Sequence, residues 1–317
     1  MSTTTLTPAG AVPGAAAAVP APSAAAGAAR GLRPLVGLIG AGIQRSLSPA
    51  MHEEEARCQG LSLRYQLIDL DRTGAGPEAL PTLLLSARLM DFAGLNVTFP
   101  CKQSILPLLD ELSDEARTMG AVNTVVAREG RWIGHNTDGS GWAWGLHRAL
   151  PRPDLGRVVV LGTGGAGSAI AHALRRLQAD TLVLVDAEPA RAQALAASLR
   201  AAGGPTRVET GSDLAAALNG ATGLVHATPT GMDKLPGLPL DPALLRPDLW
   251  VSEVVYFPLD TALLRAARER GCRTVDGGTM AVGQALGAFE LFTGRAADPV
   301  RVEAHFRRMI AARAASE

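Results

Sequence analysis

The run Val158-Val159-Val160-Leu161 opens directly into Gly162-Thr163-Gly164-Gly165-Ala166-Gly167. Consecutive apolar residues without alternation suit a strand covered on both faces, which is the environment of a parallel sheet flanked by helices. Glycines at 162, 164 and 167 then serve a tight turn, a close backbone approach to a pyrophosphate, and close packing of the next helix on the strand. The helix N-terminus faces the phosphate charge. Asp186 ends the following strand about 20 residues on, where a carboxylate accepts bonds from ribose hydroxyls. We therefore assign Gly162, Gly164, Gly165, Ala166, Gly167 and Asp186 to a dinucleotide. The Asp186 charge repels a ribose 2′-phosphate, so NAD is expected over NADP. Arg191, one turn into the next helix, is the counterweight, a cation within range of such a phosphate.

The surrounding pattern has the same character. From Pro34 onward short apolar runs alternate with helical periodicities, and the fold class expected is α/β. Strands are expected over 35–39, 63–70 and 94–98, with helices near 50–59 and 77–88. Residues 123–127 and 131–135 form a hairpin turning at Glu129-Gly130, and a linking helix runs from Asp138 to Ala149. A doubly wound Rossmann-type sheet then follows, with strands at 158–161, 181–186, 223–227 and 249–255. Helices near 280–292 and 299–312 close the chain. The expected division is a tail over 1–31, a substrate domain over 32–137 and a dinucleotide-binding domain over 138–284. The tail is mostly Ala, Pro, Gly, Ser and Thr with Arg30 its only charged side chain, too poor in bulky apolar surface to offset chain entropy, and it lacks the pattern of a secretory signal.

Composition excludes several function classes. Thirty basic and 30 acidic residues leave no net field for a phosphate polymer, so nucleic acid is not an expected partner. No apolar run approaches the about 20 residues that span a bilayer. Cys58, Cys101 and Cys272 lie far apart in no metal or disulfide spacing, which points to a reducing, cytoplasmic setting and to no metal site. The oligomeric state stays open, a homodimer included.

Candidate chemistry lies outside the glycine loop as well. Asn96-Val97-Thr98-Phe99-Pro100-Cys101-Lys102 places an amide, a hydroxyl and an ammonium at the carboxyl end of a strand, where open α/β sheets bind ligands. Asp138 stands at the expected domain junction, and a Lys beside a carboxylate can exchange a proton with a substrate hydroxyl. Ser46 and Ser48, before a helix that begins at Pro49, suit a carboxylate or an ordinary helix cap. His52, His135 and His226 lack metal spacing and are read as structural or solvated.

Taken in order, these segments resemble the shikimate dehydrogenase family, within it the NAD-preferring quinate/shikimate type. The resemblance runs from about Pro34 to Phe306 and rests on Ser46-Leu47-Ser48-Pro49, the Asn96 to Lys102 segment, Ala121-Val122-Asn123-Thr124 and Asn136-Thr137-Asp138. The glycine loop, Ala227-Thr228-Pro229-Thr230-Gly231-Met232, Val255-Tyr256, and Gln284 before Ala288-Phe289-Glu290 complete it. It implies oxidation of the C3 hydroxyl of shikimate, with quinate as a second or even main substrate, Lys102 handling the proton and Asp138 holding ring hydroxyls. It further implies that Ser46 and Ser48 hold the carboxylate and that Asn96, Thr98, Asn123, Tyr256 and Gln284 complete the pocket. Ala227, Thr228, Val254 and Gly277 fall beside the cofactor, and the terminal helices, 285–313, return to the first domain. Three departures stand out. His226 and Glu53 replace the family's usual asparagines, and Asp186-Ala187-Glu188 stands where NADP-type members carry Asn-Arg-Thr, which favours NAD. Ser48 is the serine form of a site that some quinate-using relatives fill with threonine, which favours shikimate. A non-catalytic binding protein on the same fold would be marked by loss of Lys102 or Asp138, and both are present.

Overall fold

The computed structural model describes residues 33–315, so the expected tail lies outside the described residues. The first sheet is built from β1 (Leu35–Gly40), β2 (Arg64–Asp69), β3 (Phe92–Val97), β4 (Glu111–Leu112), β5 (Thr124–Arg128) and β6 (Arg131–His135), in the order β2-β1-β3-β5-β6-β4. Interleaved with them are α1 (Ser48–Cys58), α2 (Leu70–Thr73), α3 (Leu80–Leu89), α4 (Cys101–Ser104) and α5 (Asp114–Met119). β1 pairs in parallel with β2 and β3, whereas the β5–β6 hairpin joins β3 antiparallel, so this sheet is mixed.

Helix α6 (Asp138–Ala149) leads into the second sheet, formed by β7 (Arg157–Leu161), β8 (Thr181–Val185), β9 (Arg207–Gly211), β10 (Gly223–His226), β11 (Trp250–Glu253) and β12 (Arg273–Val275). Its order is β12-β11-β10-β7-β8-β9, and every pairing is parallel. The chain runs outward from β7 in one direction and from β10 in the other, which makes the gap between their carboxyl ends the switch point of a doubly wound sheet. Val158, Val159 and Val160 are fully buried, as their unbroken apolar run requires. Helices α7 (Gly165–Arg176), α8 (Pro189–Ala201), α9 (Leu214–Leu218) and α10 (Ala262–Glu269) are the crossovers, and α11 (Gly277–Thr293) and α12 (Pro299–Ala314) close the chain.

Helix α11 is unbroken across the expected boundary at 284. Its first residue abuts the second sheet, because a Cβ on Gly277 would lie 2.4 Å from the carbonyl oxygens of Val254 and Val255. Its later residues Ala288, Phe289 and Phe292 pack with Val36, Leu38 and Val126 of the first sheet. Where it crosses α6, a Cβ on Gly283 would lie 2.3 Å from the carbonyl oxygen of Gly141, and one on Gly141 would lie 2.5 Å from the Gln284 amide nitrogen. Only bare backbone fits such a crossing. Helix α12 is latched to α1 by Arg301, which donates to both oxygens of the buried Glu55 at 2.7 Å.

Candidate active site

Local sequence carries each side chain to the same place. Lys102 sits in α4, directly beyond the carboxyl end of β3, and Asp138 opens α6 directly beyond the hairpin strand β6. Between them the Nζ to Oδ2 distance is 2.6 Å, with the Asp138 side chain 3% exposed and that of Lys102 25% exposed. The carboxylate is thus set deep in the wall of a cleft of about 410 Å³, and the ammonium, one hydrogen committed to it, faces the same cleft.

The cleft unites residues that are far apart in the chain. Ser46, Ser48, Asn96, Thr98 and Asn123 line it from the first sheet's side, together with Lys102 and Asp138. Tyr256, Gln284, Ala166, Val254 and Gly277 line it from the second. Neither serine caps α1, whose N-cap is Leu47 with no side-chain bond. Instead Ser46 Oγ donates to Ser48 Oγ and accepts from the Ser48 amide, both at 3.2 Å.

A buried hydrogen-bond chain runs behind the cleft wall, and backbone groups fix its direction. The Asn123 carbonyl can only accept, so the Asn96 Nδ2 that meets it at 3.3 Å is the donor end; that nitrogen also donates to Thr124 Oγ1 at 3.0 Å. Asn96 Oδ1 therefore faces Tyr65, whose hydroxyl donates to it at 2.7 Å and also bonds Ser48. The Thr137 amide can only donate, so Oδ1 of Asn123 faces it at 2.8 Å, while Nδ2 donates to Asp138 Oδ1 at 2.9 Å and to Thr137 Oγ1 at 3.0 Å. Asp138 thus takes charge-assisted bonds on both oxygens, which hold it in one orientation toward Lys102. Burial pushes the Tyr65 phenol far above its usual range, and that of Tyr256 upward as well.

Tyr65, Thr124 and Thr137 carried no assignment from sequence. Thr124 and Thr137 belong to the segments that carry the family resemblance, but a phenol in an amphipathic strand has no local signature. Met232 and Phe257 also line the cleft. His52 is buried, as a structural reading implies, and stacks on Tyr65 with ring centroids 5.0 Å apart.

The glycine loop lies at the switch point. Gly162 adopts φ +94°, and a Cβ there would lie 2.7 Å from the Ala227 carbonyl oxygen. A Cβ on Gly167 would meet the Gly162 oxygen at 1.9 Å, whereas Gly164 and Gly165 face open space. A turn packed behind and open in front is the cradle a pyrophosphate needs, so the residues present fit a dinucleotide. Thr163 donates to Asp186 Oδ2 through its amide at 2.7 Å and its hydroxyl at 2.8 Å, and the Glu188 amide donates to Oδ1 at 2.9 Å. Partial burial would raise the Asp186 carboxyl, but these bonds, with Arg191 nearby, hold it below the usual carboxylate range. Arg191 itself pairs with Glu188 at 2.8 Å. Ala227 and Thr228 follow β10 across the crevice.

Residues 38–125 match the sequence family described as the shikimate dehydrogenase substrate binding domain. The chain is 56% identical over 270 residues to a shikimate dehydrogenase (NADP(+)) of Streptomyces avermitilis, covering 84% of this chain and 93% of that one. The chain belongs to the shikimate dehydrogenase family. It is also 47% identical over 276 residues to a quinate/shikimate dehydrogenase (NAD(+)) of Corynebacterium efficiens, covering 86% of this chain and 97% of the other. Among solved structures, quinate dehydrogenase from Corynebacterium glutamicum in complex with NAD superposes with a TM-score of 0.81 at 43% identity, covering 87% of this chain and 99% of that one. Relatives in the family thus include both NADP- and NAD-named enzymes, and the cofactor class is NAD(P). Among the described residues no helix is long and apolar enough to cross a membrane.

Proposed function

We propose that this protein interconverts shikimate and 3-dehydroshikimate by hydride transfer at C3, prefers NAD, and also oxidises quinate. The observation that carries the reading is the 2.6 Å Lys102–Asp138 pair, set in a cleft that reaches the glycine loop's helix. A polyol held over that pair has its hydroxyl within reach of the Lys102 side chain, which as ammonium donates a proton to the C3 oxygen in reduction and as neutral amine accepts the hydroxyl proton in oxidation. Asp138 orients the amine and accepts from a ring hydroxyl. Ser46 and Ser48 sit where a ring carboxylate is bound by hydroxyl donors, and Thr98, Tyr256 and Gln284 complete a polar lining that rejects molecules lacking the hydroxyls. When bound, the dinucleotide supplies the hydride acceptor, with Gly162 to Gly167 around its pyrophosphate and Val254 and Gly277 beside the cleft.

The NAD preference is supported by Asp186. Its carboxylate is locked in place and charged, so it accepts from ribose hydroxyls and repels a 2′-phosphate. Arg191, the cation that would offset that repulsion, is turned at the surface toward Glu188. The test is a four-way comparison of initial rates, shikimate and quinate each with NAD and NADP. NAD with shikimate is expected to be fastest. Faster rates with quinate would reverse the substrate order, faster rates with NADP would refute the Asp186 argument, and reduction in none of the four would leave a binding protein on the same fold.

A further inference from the structure

Two ionisable side chains are sealed at the carboxyl ends of neighbouring strands of the second sheet and take no part in the chemistry above. His226 ends β10 and Glu253 ends β11, and both side chains are fully buried. His226 Nδ1 lies 2.9 Å from Glu253 Oε1 and 3.1 Å from Oε2. The rest of the carboxylate is equally occupied. The amides of Val254 and Val255 donate to Oε1 at 2.8 and 3.0 Å, and the Thr261 hydroxyl donates to Oε2 at 3.1 Å. On its other side the imidazole places Nε2 2.5 Å from Thr228 Oγ1, which also receives the Thr230 amide at 3.3 Å.

The two backbone stretches joined in this way are the flanks of the dinucleotide crevice. Residues 227–228 pack on the glycine loop so closely that a Cβ on Gly162 would lie 2.8 Å from the Thr228 methyl group. Residues 254–255 pack on the first turn of α11 at Gly277, and Val254 and Gly277 both line the cleft. A well-packed apolar pair could fill two strand ends without the desolvation that buried ionisable groups incur. Here the polar atoms are aimed at Thr228, at the Val254 and Val255 amides and at Thr261, the N-cap of α10, all of them outside the strands.

We propose that His226 and Glu253 are positioning residues for the dinucleotide, coupling Thr228 on one flank of the crevice to Val254 on the other. The proposal rests on the reading of the glycine loop as a dinucleotide site. Removing the imidazole frees both flanks and weakens cofactor binding, while the polyol pocket of the first sheet is untouched.

The test uses the full chain, with NAD dissociation constants from intrinsic fluorescence titration, KM for shikimate, and melting temperature. His226→Ala should raise the NAD dissociation constant at least tenfold with KM for shikimate within twofold of the wild type. His226→Asn, which keeps a donor toward Glu253, should recover most of that loss. Val225→Ala, a buried neighbour in the same strand, should lower the melting temperature and leave NAD affinity unchanged. Wild-type NAD affinity in His226→Ala, or an equal loss in Val225→Ala, would overturn the proposal. Should His226→Ala not fold, Glu253→Gln answers the same question: at least a threefold weaker affinity supports the coupling, and none overturns it. A wild-type protein that binds neither NAD nor NADP would instead overturn the dinucleotide reading, and the proposal with it.

Discussion

Lys102 touches the first sheet's side of the cleft only, so its loss should separate chemistry from cofactor binding. Lys102→Ala is expected to lower turnover of shikimate by about 10²–10⁴-fold, the usual worth of a positioned acid–base group, with the NAD dissociation constant unchanged by titration. Near-normal turnover would remove the proton-transfer role. At the cofactor end, Asp186→Ala should shrink the ratio of kcat/KM for NAD over NADP, because the charge that opposes a 2′-phosphate is gone. An unaltered ratio would place discrimination elsewhere. The sequence made Lys102, Asp138 and Asp186 visible because each follows a strand end or a glycine turn, and such positions have local signatures. Tyr65 had none: its link to Asn96, 31 residues on, exists only once β2, β1 and β3 lie side by side.

The crossing of α6 and α11 does the most at the scale of elements. It brings Asp138, at the start of one helix, and Gln284, on the other, to a single cleft. Gly283→Ala forces a methyl against the Gly141 backbone, and overpacking of this kind costs about 1–3 kcal/mol. The expected result is a lower urea midpoint together with a higher KM for shikimate; a variant as stable as the wild type would show that the helices can part without penalty. Strand legibility follows apolar content. The strands β7, β8 and β10, largely buried, were readable, and so was the edge strand β2 with Tyr65, Leu67 and Ile68. The edge strands β4, β9 and β12 were not, because each carries a single bulky apolar residue, Leu112, Val208 and Val275, too little to leave a pattern.

The molecule as a whole carries a pH dependence set by buried imidazoles. Burial lowers His52 from 6.5 to about 3, and burial followed by Arg175 and Arg176 lowers His172 to about 4. Both rings stay neutral in the folded chain and take up a proton on unfolding, so the stability they contribute is complete above pH 6.5 and falls as pH drops toward the folded values. For His52 the loss between pH 7.5 and pH 5 is about 2 kcal/mol by linkage. Urea unfolding at those two pH values should show it, and His52→Gln should show a smaller difference between them. Equal differences in the two proteins would mean that His52 does not titrate on unfolding.

What the sequence determined by itself is what short-range sterics and periodicity decide. Unalternating valines demand a strand covered on both faces, and the glycines after Leu161 permit the one turn that brings backbone N–H groups to a phosphate. Together they define the α/β class and mark the glycine loop as the candidate dinucleotide site before any contact is known. Tertiary structure alone decided how groups far apart in the chain meet. Lys102 and Asp138 are 36 residues apart, and His226 and Glu253 are 27 apart. Their pairing depends on strand order and on burial, because a polar contact that is weak in water gains strength only where packing excludes the solvent.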